Sequence, residues 1–399
     1  MPSTLAWLDH DSAAQDRAKR ILALFQEKGT QDQLGLGGIR DSFSDLLFPG
    51  ISTIQTRLRY YLFVPWIYQE LEAREIPSAR IAAVAREREL ALVGPLLSTE
   101  EEGVFGRTAG GSLKRLPSEV YWGGLVSWGI RRFDASISQY HRALDEIYRR
   151  RKEARRFRTE GTEASAGVVT WHPELPPPPS SFPEQVTLSL TREEADFIRD
   201  RIVAEHPSTL LAWLSLHPEH TDVRFPWEHH LVHAMRPDHQ KILSHARMFS
   251  EVMHGAPMVY NLMVSEEAGR DDLMEEYRDR FREWADSLDL GELEEWPIGV
   301  TLAIARGQGG HTISAQTETF VRNWVDLVLQ DPHAVPGLEE TRRLIRHREI
   351  FLKGPRSLFT NRKALEEKYS GGLGMGRLNF RWLEVQRLLR DLYHGLQGG

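Results

Sequence analysis

The stretch from Leu34 to Leu71 constrains the fold of this chain more than any other segment. It reads LGLGGIRDSFSDLLFPGISTIQTRLRYYLFVPWIYQEL, with three glycines at its entry and a Pro49-Gly50 turn in its middle. Serine and aspartate oxygens after the glycines favour a short helix that ends near Phe48. Beyond the turn, apolar residues recur at three- and four-residue steps, which predicts a longer helix over 53–73 with one buried face. Proline has no backbone N–H, so Pro65 is expected to kink or break that helix.

Two arginines near the start of the longer helix, Arg57 and Arg59, admit two interpretations. A helix N-terminus presents free N–H groups, and guanidinium groups add bidentate donors, so this end would suit a phosphate or a carboxylate. Alternatively, the two arginines pair with Asp41 and Asp45 and hold the two helices together. Ion pairs of the second kind are the commoner arrangement in proteins.

Four segments of the chain carry a resemblance to a known family. They are STLAWLDHD at the start, RDSFSDLLFPGISTIQTRLRYYLFVPWIY, HARMFSEVMHGAPMVYNLMVSEE in the middle, and LNFRWLEVQRLLRDLYHGL at the end. All four are similar to an uncharacterised bacterial family of about this length, domain of unknown function 6361. The resemblance supplies no reaction and no active-site residue. It implies a bacterial intracellular protein, and it points towards a nucleic-acid context because such proteins often occur beside mobile-element and phage-defence genes.

Length and composition exclude several classes of protein. A chain of 399 residues with 41% hydrophobic residues has ample material for a core, and its length predicts two or three domains. Because it contains no cysteine, it has no disulfide, no thiolate metal site and no cysteine nucleophile. No apolar run is long enough to span a bilayer, and MPSTLAWLDHD does not resemble a signal peptide, so we expect a cytoplasmic protein without membrane contact.

Helical periodicity between glycine and proline breaks predicts a mainly α, multi-helical fold with two helical regions joined by a Pro-rich linker. We expect an N-terminal helical domain over 1–158, whose first helix covers about 11–27. The linker or long loop covers 159–185 and includes the run Pro176–Pro179, which favours an extended conformation. A C-terminal helical domain over 186–399 follows, and Thr191 with Glu194 predicts a capping box in it. A second capping-box pattern lies near 98–102, an acidic helix is predicted over 271–295, and the last helix, from about 382, carries an apolar stripe. A helical segment in the middle of this domain is interrupted at Gly255-Ala256-Pro257.

The net charge of −7 conceals two basic segments. Residues 131–158 contain ten Arg and Lys against four Asp and Glu, and residues 341–399 contain thirteen against five. The rest of the chain is therefore strongly acidic. Such segregation suits an anionic partner. Alternatively, each basic helix packs against an acidic helix of the same chain or of another subunit, and both interpretations remain open.

The first basic segment has the spacing of a helix-turn-helix, with a short helix over 119–128, a glycine at 129 and a long helix to about 158. Any corner between two helices has the same spacing. Polar side chains early in the long helix would meet base edges, and its basic end would meet phosphates. The early polar residues are Ser136, Ser138, Gln139 and His141. The basic residues assigned to nucleic-acid binding are Arg57, Arg59, Arg149, Arg150, Arg151, Lys152, Arg155, Arg156, Lys353, Arg356, Arg377 and Arg381.

Two further patterns point to binding chemistry. The glycine loop SGGLGMGR at 370–377 would let a backbone approach phosphates, but no predicted strand precedes it and it lacks GK[ST], so it fits either a nucleic-acid clamp or a plain connector. His229 and His233 could share a helix face and bind zinc, although the HExxH order is absent. They are weak candidates for a metal site.

No sequence motif of a hydrolase, kinase, helicase or nuclease occurs within the secondary structure that its chemistry requires, so we assign no catalytic residue and no cofactor. The sequence predicts a non-catalytic, DNA-associated subunit of a bacterial anti-phage defence or mobile-element system. It would bind DNA phosphates through the two Arg-rich segments and associate with other protein subunits. The alternatives are a helical protein-interaction scaffold, including a homo-oligomer, and a metal-dependent hydrolase built on the histidines.

Overall fold

The computed structural model describes residues 32–107, 110, 113–159, 168–307 and 311–398, without the side chains of 157–159. Helices joined by turns make up this part of the chain, and its one strand-like feature is an isolated antiparallel bridge between Arg131 and Trp171. The predicted mainly α, multi-helical class is confirmed. The helix expected over 11–27 lies outside the described residues. Within the described residues, no helix has both the length and the apolar character needed to cross a membrane.

The helices of the described residues alternate with short turns. In chain order they are α1 (Gly37–Leu47), α2 (Tyr60–Ala73), α3 (Ser78–Ala91), α4 (Val93–Leu97), α5 (Pro117–Ser127), α6 (Ile137–Thr159), α7 (Arg192–Glu205), α8 (Leu210–Leu216), α9 (Pro237–Met253), α10 (Gly255–Glu267), α11 (Asp271–Asp286), α12 (Leu290–Glu295), α13 (Ile298–Arg306), α14 (Ala315–Gln330), α15 (Glu339–Lys353), α16 (Arg362–Lys368) and α17 (Trp382–Gln397). The predicted capping box is present at the start of α7, where Thr191 and Glu194 each bond to the other's backbone N–H.

Two compact units interleave along the sequence. Among the described residues, one unit comprises those of 32–43 and 241–380, and the other comprises those of 44–240 and 381–398. The first unit contains α10 to α16, and the second contains α2 to α8 together with α17. In the first, α10 packs against α11 and α15; in the second, α2 packs against α3 and α5, and α3 packs against α6.

The expected linker over 159–185 does not separate the two units, because its described part, from residue 168, lies within the second unit. Trp171 is 4% exposed, and the indole Nε1 of Trp66 donates to the Pro176 carbonyl at 2.7 Å. A proline-rich segment has free carbonyl acceptors, so it can dock on a core as readily as it can extend into solvent. Composition alone does not distinguish these two outcomes.

Helix α2 begins seven residues later than predicted and runs through Pro65. The backbone N–H groups of Thr56 and Arg57 donate to the Tyr121 hydroxyl, at 2.9 and 3.1 Å, instead of forming a first helical turn. Of the expected kink or break at Pro65, the break is wrong, because the helix continues through it; proline removes only one donor, and every residue from Tyr60 to Tyr68 is buried. Large aromatic area in this stretch offsets that loss.

Two other boundaries differ from the sequence prediction. The capping box expected near 98–102 starts no helix, because these residues form turns. The acidic helix expected over 271–295 is split into α11 and α12, and the Asp289 side chain caps α12 by accepting from the Glu292 N–H at 3.0 Å. An aspartate inside a helical pattern can therefore mark a new start.

Candidate nucleic-acid interface

The C-terminal half of α6 presents a run of exposed cationic side chains. Arg149, Arg150 and Lys152 keep 56%, 60% and 56% of their side-chain surface exposed. Arg149 bonds to Glu146 and Glu153 of the same helix, both at 2.5 Å, and Arg150 shares Glu146 at 2.6 Å. Pairs of this kind, one helical turn apart and open to water, contribute little to stability because solvent screens them.

Arg151 differs from its neighbours because it belongs to a buried cluster around Glu72 of α2. Its Nη1 donates to Glu72 Oε2 at 2.7 Å, its Nη2 to the Thr170 hydroxyl at 2.8 Å, and its Nε to the Val168 carbonyl at 3.0 Å. Glu72 is 7% exposed and also accepts from Thr170 Oγ1 at 2.8 Å and from Trp171 Nε1 at 2.9 Å. A buried carboxylate requires such donors.

The Tyr140 hydroxyl completes this cluster by donating to Glu72 Oε1. Burial, with the nearby Glu72 charge, raises the pKa of Tyr140 well above its usual value, so the phenol keeps its proton and can donate. The Glu72 cluster, defined as Glu72, Tyr140, Arg151, Thr170 and Trp171, therefore joins α2, α6 and the segment after residue 168. It fixes the rotational position of α6.

A cleft of about 360 Å³ lies beside the Glu72 cluster. Its lining includes the carboxylates of Glu72 and Glu75, the cationic side chains of Arg151, Lys152 and Arg155, and Trp171. Lys152 pairs with Glu75 at 2.5 Å, and both side chains are substantially exposed, at 56% and 41%. The wall is polar and carries more positive than negative groups, which suits an anion.

A family model described as "Family of unknown function (DUF6361)" matches residues 2–395. The chain belongs to the DUF6361 family. The search of curated proteins found no match, and the comparison with solved structures found none either. The family description names no reaction, so functional inference for this DUF6361 protein depends on its own geometry.

Two of the arginines assigned to nucleic acid in the DUF6361 protein, Arg57 and Arg59, are used internally. Arg57 Nε lies 3.0 and 2.9 Å from the two oxygens of Asp391, which also accepts from the Leu58 N–H at 2.9 Å. Burial raises the pKa of Asp391 despite the Arg57 hydrogen bond. Arg59 is 6% exposed and donates to Glu194 at 2.7 Å.

The alternative pairing of Arg57 and Arg59 with Asp41 and Asp45 is therefore wrong. Asp41 accepts from Arg40 of its own helix, at 3.0 and 3.1 Å. Asp45 accepts from Arg381, which also donates to the Ile51 carbonyl at 2.7 Å. The actual partners of Arg57 and Arg59 come from α17 and α7, far along the chain, where local sequence gives no signal.

The other C-terminal candidates are also mostly engaged within their own unit. Arg377 donates to Glu251 at 2.7 Å, Lys353 donates to the Asp32 carbonyl at 3.2 Å, and the Arg381 side chain is only 12% exposed. Arg356 is exposed in the turn Gly354–Arg356. Arg342 and Arg346 of α15 pair with Glu266 and Glu267, the last two residues of α10.

The glycine loop at 370–377 has several of its backbone groups occupied. The Gly372 N–H donates to the Tyr277 hydroxyl at 2.7 Å, and the Leu373 N–H donates to Asn261 Oδ1 at 3.0 Å. Asn261 Nδ2 donates back to the Leu373 carbonyl at 2.6 Å. Gly371 has a φ of +84° and lies against Tyr277, which favours glycine for conformational reasons. This geometry describes a connector better than a phosphate clamp.

The early polar residues of the predicted helix-turn-helix cap α6 or pack it against α2. Gln139 Oε1 accepts from the Ser136 N–H at 2.9 Å, and the Gln139 N–H donates to Ser136 Oγ at 3.2 Å. His141 Nε2 lies 2.9 Å from the Tyr68 hydroxyl and its ring stacks on Tyr68. These contacts favour capping and packing over base recognition, and they leave the basic end of α6 as the stronger candidate.

The two histidines considered for zinc do not share a helix. They lie in and between the 3₁₀ turns Pro226–Glu228 and Val232–Ala234, and His229 is 2% exposed whereas His233 is exposed. Burial lowers the pKa of His229 to about 4, and its Nδ1 accepts from the Leu231 N–H at 3.1 Å. In the part of the chain that the structure describes, no group of three or more His, Asp or Glu side chains is arranged to hold a metal ion.

Proposed function

We propose that this DUF6361 protein binds nucleic acid through the phosphate backbone, as a non-catalytic subunit of a bacterial defence or mobile-element system. The basic end of α6 is the contact surface. The observation that supports this proposal is the exposure of Arg149, Arg150 and Lys152, each more than half open to water while paired only with partly exposed glutamates. Charges in such pairs remain available to an outside anion.

The ion pairs at this helix end can be exchanged for an outside anion. Arg149, Arg150 and Lys152 have carboxylate partners in Glu146, Glu153 and Glu75, and every one of these side chains is substantially exposed. Glu146 serves two arginines at once, so Arg150 has only a shared counter-charge. Phosphates spaced along a strand can replace these weak partners, because solvent screens each existing pair.

Fluorescence anisotropy with labelled strands of about 20 nucleotides tests the proposal, using duplex DNA, single-stranded DNA and RNA in about 50 to 300 mM salt. We expect affinity to fall steeply with salt. Replacing Arg149 and Arg150 by Gln should lower affinity about tenfold at low salt and reduce the slope of log K against log salt by about 2, since each lost phosphate contact changes it by about 0.9.

A matched control is available on α11, where Arg280 and Arg282 are exposed and pair with carboxylates of their own helix, at 2.6 and 2.9 Å. The double change to Gln there removes the same charge from a similar setting. Binding of none of the three nucleic acids at low salt would refute the proposed function. Equal losses in the α6 and α11 variants would refute the proposed surface.

The scaffold alternative is favoured by one observation, the packing of Arg342 and Arg346 of α15 against Glu266 and Glu267. Here a basic helix already has two glutamate partners within the same unit. If the basic end of α6 pairs in the same manner with glutamates of another protein subunit, salt should change the assembly state in the absence of nucleic acid. Light scattering after gel filtration in low and high salt measures that change.

A further inference from the structure

We infer that the cleft beside the Glu72 cluster binds a phosphate monoester, the terminal phosphate of a nucleic-acid strand held on the basic end of α6. This inference rests on the proposed function and assigns a distinct role to the inner face of the same helix. The exposed arginines Arg149 and Arg150 contact backbone phosphates. Arg151, Lys152 and Arg155 face the cleft and receive the strand end.

The positions of these cations follow from helix geometry. Residues 151 and 155 are four apart and therefore lie on one face of α6, and Lys152 lies beside them. All three line the cleft, whereas Arg149 and Arg150 are absent from its wall. One helix thus presents two sets of cations in different directions, an open set and a cleft set.

Arg151 is held in place before any ligand arrives. Three of its five N–H groups donate to Glu72, Thr170 and the Val168 carbonyl, and its side chain is still 25% exposed. A guanidinium has five donors, so two remain for a ligand. Because its orientation is fixed by protein contacts, a bound anion would not have to order this side chain, and such preorganisation favours binding.

The Lys152–Glu75 pair gives the cleft an exchangeable cation. Both side chains are exposed, at 56% and 41%, so the pair is weak and screened. A phosphate monoester carries about −1.5 to −2 charges near neutral pH and has three terminal oxygens, whereas an internal diester carries one charge. The monoester therefore competes better with Glu75 for Lys152 while it also contacts Arg155.

The size and polarity of the cleft fit a strand end. A volume of about 360 Å³ accommodates a phosphate with part of its nucleoside. Gln69 and Thr170 supply additional hydrogen-bonding groups in its wall. Trp171 is 4% exposed and Tyr148 is 7% exposed, so neither offers a free ring face on which a base could stack. Recognition would therefore be of the phosphate and not of the base.

Competition binding tests the inference with the full-length chain. Unlabelled strands of one sequence, bearing a 5′-phosphate, a 3′-phosphate or hydroxyls at both ends, compete with a labelled strand at constant salt. We expect a phosphorylated strand to compete at least about fivefold better than the unphosphorylated one, an advantage of about 1 kcal/mol. The double variant Lys152→Gln and Arg155→Gln should abolish that preference and retain binding through Arg149 and Arg150.

Three comparisons separate the possible outcomes. Arg149→Gln is the matched control on the same helix, and it should weaken all strands equally while the preference for the phosphorylated end is retained. Glu75→Gln should strengthen the preference, because it removes the carboxylate that competes for Lys152. Arg151 is left unchanged throughout, since its loss would leave Glu72 without its cation.

Equal competition by phosphorylated and unphosphorylated strands would overturn this inference while the proposed function stands. Binding of no strand at all would overturn both. A nucleoside monophosphate that competes as well as the phosphorylated strand would assign the cleft to free nucleotides and would overturn the strand-end assignment. A preference that survives in the Lys152→Gln, Arg155→Gln variant would place the phosphate elsewhere.

Discussion

Glu89 of α3 is the carboxyl whose removal gives the most informative change in stability. It is 2% exposed, and its oxygens accept from the N–H and the hydroxyl of Ser118, both at 2.7 Å. Ser118 lies at the start of α5, so Glu89 caps that helix from a neighbouring one. Burial raises the pKa of Glu89 to about 7 even though both hydrogen bonds to Ser118 lower it.

The sign and size of the effect follow from the difference between folded and unfolded states. When folding raises the pKa of a carboxyl, ionisation of that carboxyl lowers the free energy of unfolding. The stability is therefore greatest below the usual value of 4.5 and is lost as the pH rises through about 7. Moving the pKa over this interval corresponds to about 3 kcal/mol, and most of this change falls between pH 5 and pH 8.

Glu89→Gln removes the ionisation and can retain both contacts. The amide oxygen accepts from the Ser118 N–H, and the amide nitrogen donates to the Ser118 hydroxyl, which can rotate to accept. Between about pH 5 and pH 8, the free energy of unfolding of this variant should therefore rise by about 2 to 3 kcal/mol relative to that of the wild type. Urea unfolding, followed by fluorescence of the buried tryptophans of α5 and its C-terminus, Trp122 and Trp128, measures the difference at each pH.

The matched control is Glu119→Gln, one residue after Ser118. Glu119 is exposed and accepts from the Leu116 N–H at 2.8 Å, so this variant removes the same charge from the same helix start without burial. It should show no comparable rise with pH. A difference between Glu89→Gln and wild type that changes by less than about 0.5 kcal/mol over the same interval would refute the reasoning.

Two further predictions concern the second compact unit. Arg59→Met alone should lower the free energy of unfolding by about 3–5 kcal/mol, because it leaves the buried Glu194 carboxylate without its cation. Adding Glu194→Gln should restore part of that loss, and urea unfolding of both variants measures it. A double variant no more stable than the single variant would contradict this. Gly124→Ala should lower the free energy of unfolding by about 1–3 kcal/mol, because a Cβ there would lie 2.5 Å from the Gly50 carbonyl oxygen and closer still to the Tyr61 hydroxyl. Urea unfolding measures this loss as well, and an unchanged stability would contradict the prediction.

Features set by neighbouring residues were predictable from the sequence. The Thr191 and Glu194 capping box uses residues three apart, and the apolar stripe of α17 recurs once per helical turn, so both were predicted and both are present. The break between α9 and α10 at His254 lies next to the Gly255-Ala256-Pro257 interruption in the sequence. In each case the interaction that decides the structure spans only a few positions.

The candidate site shows where that reasoning stops. Arg151, Lys152 and Arg155 were identified from the arginine-rich run of one helix, but Glu72 was not. Glu72 is separated from Arg151 by 79 residues and from Trp171 by 99 residues. Arg57 and Asp391 are 334 residues apart. Charge runs therefore reveal which side chains could bind an anion, whereas only tertiary structure shows which of them are already occupied.

The two kinds of arginine on α6 have different consequences for stability and for binding. Arg151 is held by a buried carboxylate that has three further side-chain donors, so its loss would destabilise the contact between α2 and α6. Arg149 and Arg150 are held by exposed pairs of small energy, so an outside anion can displace their partners at little cost. A helix anchored through one arginine can therefore present its neighbours in a fixed direction without requiring them for folding. For this reason the open cations are the residues whose loss should weaken binding by α6 without destabilising its fold.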